Sequence, residues 1–272
     1  MSDLSIEYKD SVHISVICEK GIAQELSEYF TFKVPGYQFM PTYKNKMWDG
    51  TIKLYNIYGQ ELYAGLEDYV KTFAEERGYS ISYGKPLVDK NNITKEQVKK
   101  YVNKELQPTF KDEMLKVYEH QSDAIQHAIN NDRCLLLSPT ASGKSLIIYS
   151  LIRYYMDILP KDKKILVVVP TVSLVSQMYE DFKEYSKTDS TFDVAEECHG
   201  VFAGQDKIND SRIIISTWQS IYKLKQKYFD NFGAVFGDEC HLFKSKSLTS
   251  IMSKLKTCPY RIGTTGTLDG TQ

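Results

Sequence analysis

The sequence predicts an α/β protein: a parallel sheet carrying a phosphate-binding loop, preceded by a small α+β module. Three observations carry this. From about residue 113, short apolar runs alternate with longer segments of helical periodicity, the pattern of strands buried on both faces and joined by crossover helices. One such run leads into Ser138-Pro-Thr-Ala-Ser-Gly-Lys-Ser145, in the order strand, tight loop, helix. Another, Ala234-Val-Phe-Gly, ends in the adjacent carboxylates Asp238 and Glu239.

The front module is expected over residues 1–88. Val12, Ile14, Val16 and Cys18 alternate as in a strand, and Ile22, Leu26, Tyr29 and Phe30 recur at helical spacing. Pro35-Gly36 signals a turn. Trp48-Asp49-Gly50 reads as the tip of a hairpin, because Asp-Gly suits the positive φ of such turns, with Thr51–Tyr55 returning as a strand. Leu66, Val70, Phe73, Ala74 and Arg77 mark a second helix closed by Gly78, and Tyr79–Tyr83 a last short strand. Residues 89–112 read as a basic linker. Thr94-Lys-Glu-Gln97 opens a short helix as a capping box, and lysines 90, 95, 99, 100, 104 and 111 give a solvated face or phosphate contacts. Over 113–272, strands are expected at Cys134–Leu137, Ile165–Val169, Ile213–Ser216, Ala234–Phe236 and Arg261–Thr264. Helices are expected at Ser145–Met156, Ser173–Tyr185, Gln219–Lys227 and Leu248–Leu255.

Composition bounds the function. At 42% hydrophobic and 25% charged, the chain has material for a folded core. A net charge of −1 excludes a wholly basic nucleic-acid binder but not a locally basic groove. The five cysteines are widely spaced with no C-x-x-C pair, which argues against a disulfide framework or a structural zinc site. No signal-like start and no run long enough to span a membrane is present, so a cytoplasmic protein is expected.

The loop and the acidic strand end form one constellation. Backbone N–H groups at a helix start point at a phosphate, and the helix dipole favours its charge. Pro139, Thr140, Ala141, Ser142 and Gly143 would wrap the phosphates, with Gly143 letting the backbone approach closely. Lys144 would reach the terminal phosphates and the Ser145 hydroxyl would hold Mg²⁺. Asp238 would meet the same Mg²⁺, and Glu239 would activate the attacking water as general base. ATP and Mg²⁺ are therefore the expected ligands, and Lys144, Asp238 and Glu239 the expected catalytic groups.

Asp238-Glu-Cys-His241 resembles motif II of the DEAD/DEAH-box helicases of superfamily 2, and further segments follow in the family's order. Gln121 resembles the adenine-reading glutamine ahead of motif I. Pro170-Thr-Val-Ser-Leu-Val-Ser-Gln177 resembles motif Ia, and Ser216-Thr-Trp-Gln-Ser220 the next nucleic-acid-contacting motif. Gly263-Thr-Thr-Gly-Thr267 stands where motif III belongs, without its usual Ala. With Lys44-Asn-Lys-Met-Trp-Asp-Gly-Thr-Ile-Lys-Leu-Tyr55 in front, most of the chain is similar to the UvsW-type helicases of T4-type phages. The resemblance implies a RecA-like ATPase domain, an ATP-driven motor on branched or forked DNA in recombination and repair, and a His241 linking the ATP site to motif III. It also implies a second RecA-like domain with arginine fingers. None is found before Gln272, so an N-terminal fragment with weak hydrolysis is expected.

A motor that ignores sequence contacts phosphates. Thr171, Gln177, Thr217 and Gln219 are the candidates in the motor, with Trp218 expected in the core. Lys44, Lys46 and Trp48 are the candidates in the front module, where basic residues around an aromatic could grip a branch point. Rival readings are a double-stranded DNA translocase, which shares all these motifs, an RNA helicase, whose motif II more often reads Asp-Glu-Ala-Asp, and a non-catalytic nucleic-acid-binding module.

Overall fold

The structure is a computed structural model describing residues 2–139, 142–201, 206 and 209–266, with Phe243 and Lys244 described in backbone only. Thr140, Ala141 and Thr267, singled out above, lie outside the described residues. The chain forms two compact units, Met1–Leu87 and Val88–Gln272.

In the smaller unit β1 (Leu4–Tyr8) and β2 (His13–Cys18) precede α1 (Lys20–Tyr29), β3 (Thr31–Lys33), α2 (Pro41–Lys44), β4 (Thr51–Lys53), β5 (Glu61–Tyr63), α3 (Glu67–Arg77) and β6 (Ile81–Tyr83). The sheet order is β5-β2-β1-β6, with β1 and β6 parallel. Alternation decides its buried face: Leu4, Ile6, Ile14 and Val16 pack on Leu26, Phe30, Val70 and Phe73. Gly78 closes α3 at φ 71°, as its position predicts.

The expected tight hairpin at Trp48-Asp49-Gly50 is corrected. β3 pairs with β4 in the register Thr31↔Lys53 and Lys33↔Thr51, so residues 34–50 form a wide connection containing α2. Pro41 starts a helical turn that a tight hairpin could not accommodate. Asp49 Oδ1 instead accepts from the Thr51 N–H at 2.9 Å and its hydroxyl at 2.7 Å. Gly50 (φ 81°) lies so close to Tyr37 that a Cβ would come within 2.3 Å of the ring.

The larger unit runs α4 (Lys95–Lys100, prolonged by a π-helical turn, Tyr101–Leu106), β7 (Thr109–Phe110), β8 (Glu113–Met114), α5 (Glu119–Asn131), β9 (Arg133–Leu137), α6 (Lys144–Ile158) and β10 (Lys164–Val169). It continues with α7 (Val172–Tyr185), α8 (Val194–Glu197), β11 (Cys198–Val201), β12 (Ile213–Thr217), α9 (Trp218–Ile221), α10 (Gln226–Phe229), β13 (Phe232–Gly237), α11 (Lys246–Lys254) and β14 (Tyr260–Thr265). The sheet order is β11-β12-β10-β13-β14-β9 and every pairing is parallel. Ile165, Val167 and Val169 of β10 face the layer containing α5, α6 and α7. Leu166 and Val168 face the layer containing α9, α10 and α11. A strand buried on both faces must be apolar throughout, which explains its unbroken run.

Two expectations in this unit change. The segment read as a basic linker contains a packed helix: Val98 and Val102, one turn apart, are fully buried in the core. Lys95 and Lys99 pair with Glu119, and Lys95 also with Asp123, so their charge is met by α5. The single helix expected over Gln219–Lys227 is broken into α9 and α10, and Trp218 packs half-buried on the second core layer, as expected.

Candidate functional site

The carboxyl ends of β9, β13 and β14 lie side by side, and the expected phosphate residues converge there. The Ser138 N–H donates to Thr265 O at 2.9 Å, tying the start of the loop to the end of β14. Gly143 caps α6 with φ 79°, a conformation that costs other residues strain. The first helical residue, Lys144, extends its Nζ to Glu239 Oε1 at 3.0 Å. His241 Nδ1 stands 3.2 Å from Glu239 Oε2 and 3.0 Å from Thr265 Oγ1. Asp238, 7% exposed, accepts from the Thr264 hydroxyl at 2.9 Å, while its own N–H donates to Val168 O.

Glu239 has φ 53° and ψ 51°, a left-handed conformation rare for a side chain of this size. It turns the chain sharply as β13 ends. Partial burial pushes the Glu239 carboxyl up, but the bond to Lys144 and the Lys144 charge outweigh it, holding the group below its ordinary value.

Gln121 approaches the loop from α5. Its Oε1 accepts from the Tyr118 N–H at 3.0 Å, and its Nε2 donates to Ser142 O at 3.0 Å. A Cβ on Gly143 would come within 2.2 Å of that Nε2, so Gly143 leaves the room that Gln121 fills. His120 Nε2 also lies 3.1 Å from Ser142 O. Pro139 contributes its carbonyl to the Ser142 N–H at 3.2 Å.

Beside this loop is a cleft lined by Phe110, Met114, Tyr118, His120, Gly143 and Tyr185. Tyr118 and His120 stack at 5.8 Å with planes 10° apart, and Tyr118 is 69% exposed. Sequence reasoning missed these aromatic walls. Tyr118 and His120 flanking Glu119 was the available signal. The Ser145 Oγ lies 2.9 Å from Tyr185 Oη.

The candidate nucleic-acid residues divide. Thr171 follows β10 and Thr217 ends the neighbouring β12, with Val169 opposite Thr217. Thr171 is exposed and caps α7 by accepting from the Leu174 N–H. Gln177 and Gln219 are exposed. Thr217 is 4% exposed with its hydroxyl 2.9 Å from Ser220 Oγ, so it braces the turn rather than offering a free hydroxyl. In the smaller unit Lys44 and Lys46 are exposed in and just after α2, while Trp48 is half-buried with Nε1 donating to Thr51 O at 2.7 Å. Among the described residues there is no cluster of three or more His, Cys, Asp or Glu able to hold a metal, and no helix long and apolar enough to cross a membrane.

Known proteins resemble both units. The sequence profile described as type III restriction enzyme, res subunit, matches residues 114–270, and that of the N-terminal part of the DNA helicase UvsW matches residues 3–84. The crystal structure of the UvsW helicase from bacteriophage T4 is 31% identical and superposes with a TM-score of 0.88 over 99% of this chain and 94% of that one. The chain belongs to the UvsW family of superfamily 2 helicases. The ATP-dependent DNA helicase uvsW of Enterobacteria phage T4 is 32% identical over 267 residues, 98% of this chain and 52% of that protein. A DNA 3'-5' translocase, XPB2 of Sulfurisphaera tokodaii, is 26% identical over 59% of this chain and 32% of its own length. The chain thus spans about half the length of its T4 relative and less of the translocase. Membership of the UvsW family bears out the resemblance drawn from the motif order and the RecA-like domain it implies, and the all-parallel six-stranded sheet bears out the reading of the alternating runs.

Proposed function

We propose that this chain carries the ATP-binding motor unit of a DNA helicase that acts on branched DNA in recombination and repair. The observation carrying the reading is the 3.0 Å pair between Lys144 Nζ and Glu239 Oε1, which joins a phosphate-loop lysine to a strand-end carboxylate. Pro139, Ser142 and Gly143 wrap the phosphates, and Gln121 braces the loop while Tyr118 and His120 border the base. Asp238 and Ser145 supply hard oxygen donors of the kind Mg²⁺ takes, so they would hold that ion with the phosphates, where it neutralises developing charge.

Lys144 must leave Glu239 to reach a terminal phosphate. That exchange removes the cation holding the Glu239 carboxyl low, so its affinity for a proton rises as a water comes within its reach. His241, between Glu239 and Thr265, passes the change to the end of β14. Thr171, Gln177 and Gln219 contact a phosphate backbone, with Thr217 holding the turn. In the smaller unit Lys44, Lys46 and Trp48 take the branch point. The named relatives, an ATP-dependent DNA helicase and a DNA translocase, support this reading.

Translocation on double-stranded DNA without strand separation is the second reading, favoured by the res-subunit profile and the translocase relative. A fluorescent ATP analogue tests the nucleotide site. Lys144→Ala should weaken its binding roughly 10-fold or more, the size of a lost charge-assisted bond; wild-type affinity in this variant would sink the reading. Stimulation of ATPase by forked DNA over single-stranded RNA, with strand displacement, selects the helicase over the translocase.

A further inference from the structure

The Ser145 hydroxyl, an expected metal donor, has a neighbour with no catalytic role so far. Its Oγ lies 2.9 Å from Tyr185 Oη. Tyr185 is the last residue of α7, 7% exposed, with its ring packed 5.5 Å from Tyr149 and 6.4 Å from Phe110. The phenol therefore has little freedom to move. The end of α7 is itself anchored: Thr109 Oγ1 donates to Glu184 O at 2.7 Å, and the Lys111 N–H to Glu184 Oε2 at 3.2 Å.

Building on the nucleotide site proposed above, we infer that Tyr185 is a positioning residue that fixes the Ser145 hydroxyl for the nucleotide's divalent cation. A serine oxygen has one proton to give and two lone pairs. With Tyr185 donating into one lone pair, the second lone pair is set in direction for the cation. Partners of this kind orient metal ligands in many proteins and, when lost, weaken metal binding by roughly 10–100-fold. The arrangement also gives α7 two ends with different duties: Thr171 at its start faces the proposed nucleic-acid surface, and Tyr185 at its finish holds a phosphate-loop residue.

Titration of a fluorescent ADP analogue into the 272-residue chain, with Mg²⁺ and with EDTA, tests this. Tyr185→Phe keeps the ring and removes only the hydroxyl. It should bind the analogue in EDTA within roughly twofold of wild type, yet need about 10-fold more Mg²⁺ for the tightening that Mg²⁺ gives. An unchanged Mg²⁺ requirement in this variant overturns the proposal. So does an equal loss of affinity with and without Mg²⁺, which marks Tyr185 as packing alone. Failure of the wild-type chain to bind the analogue would remove the nucleotide site itself, and this proposal with it.

Discussion

Lys144 and Glu239 lie 95 residues apart in the sequence, and the lysine helps hold the carboxyl low. Glu239 sits in a left-handed conformation that costs on the order of 1–3 kcal/mol, tolerated because β13 and the Lys144 bond hold it. Removing its charge while keeping its shape separates binding from chemistry. Glu239→Gln should retain nucleotide and lose roughly 100-fold or more of the hydrolysis rate; a parallel loss of binding would make Glu239 structural. The same variant has a signature in pH. The folded carboxyl lies below its ordinary 4.5, so its contribution to stability is present above 4.5 and is lost as pH falls through the lower folded value. The wild-type advantage over Glu239→Gln in urea denaturation should shrink below pH 4.5; a gap that widens with acid would contradict the pairing. The carboxylates and the lysine were legible because charged groups that end an apolar run have few structural reasons to be there. The walls of the cleft were not, since Phe110, Tyr118 and Tyr185 are ordinary residues until the fold gathers them.

At the scale of elements, legibility followed burial. β10, β12 and β13 lie in the middle of the sheet, and their apolar runs announced them. β11, Cys198-His-Gly-Val201, is an edge strand without such a run and left no signal. α5 was hidden by its polar surface, only Ile125, Ala128 and Ile129 supplying its apolar face. In α4 and the turn that prolongs it, four lysines concealed two valines, and those valines decide its place. Val98→Ala should cost about 2 kcal/mol, from two lost methyl groups and the space they leave. A solvated linker would lose nothing, so an unchanged urea midpoint for the larger unit would restore the linker reading.

The molecule as a whole divides into two units with separate cores, one around Leu26 and Phe73 and the other layered on the six-stranded sheet. In that sheet the strand leading into the phosphate loop, β9, is the first of the six in sequence, and its only sheet neighbour is β14, the last. The amide of Ser138 is fixed by Thr265, and His241 leans on the same threonine. Chains cut before Tyr260 should consequently fail to retain an ATP analogue even though they contain Lys144, Asp238 and Glu239; retention by such a chain would show that the loop frames itself. On the ribosome the order of events follows from this. The loop leaves the exit tunnel early and waits, unframed, while the rest of the sheet is translated. If the loop holds ATP as proposed, a nascent polypeptide stays empty of it until β14 slots in beside β9.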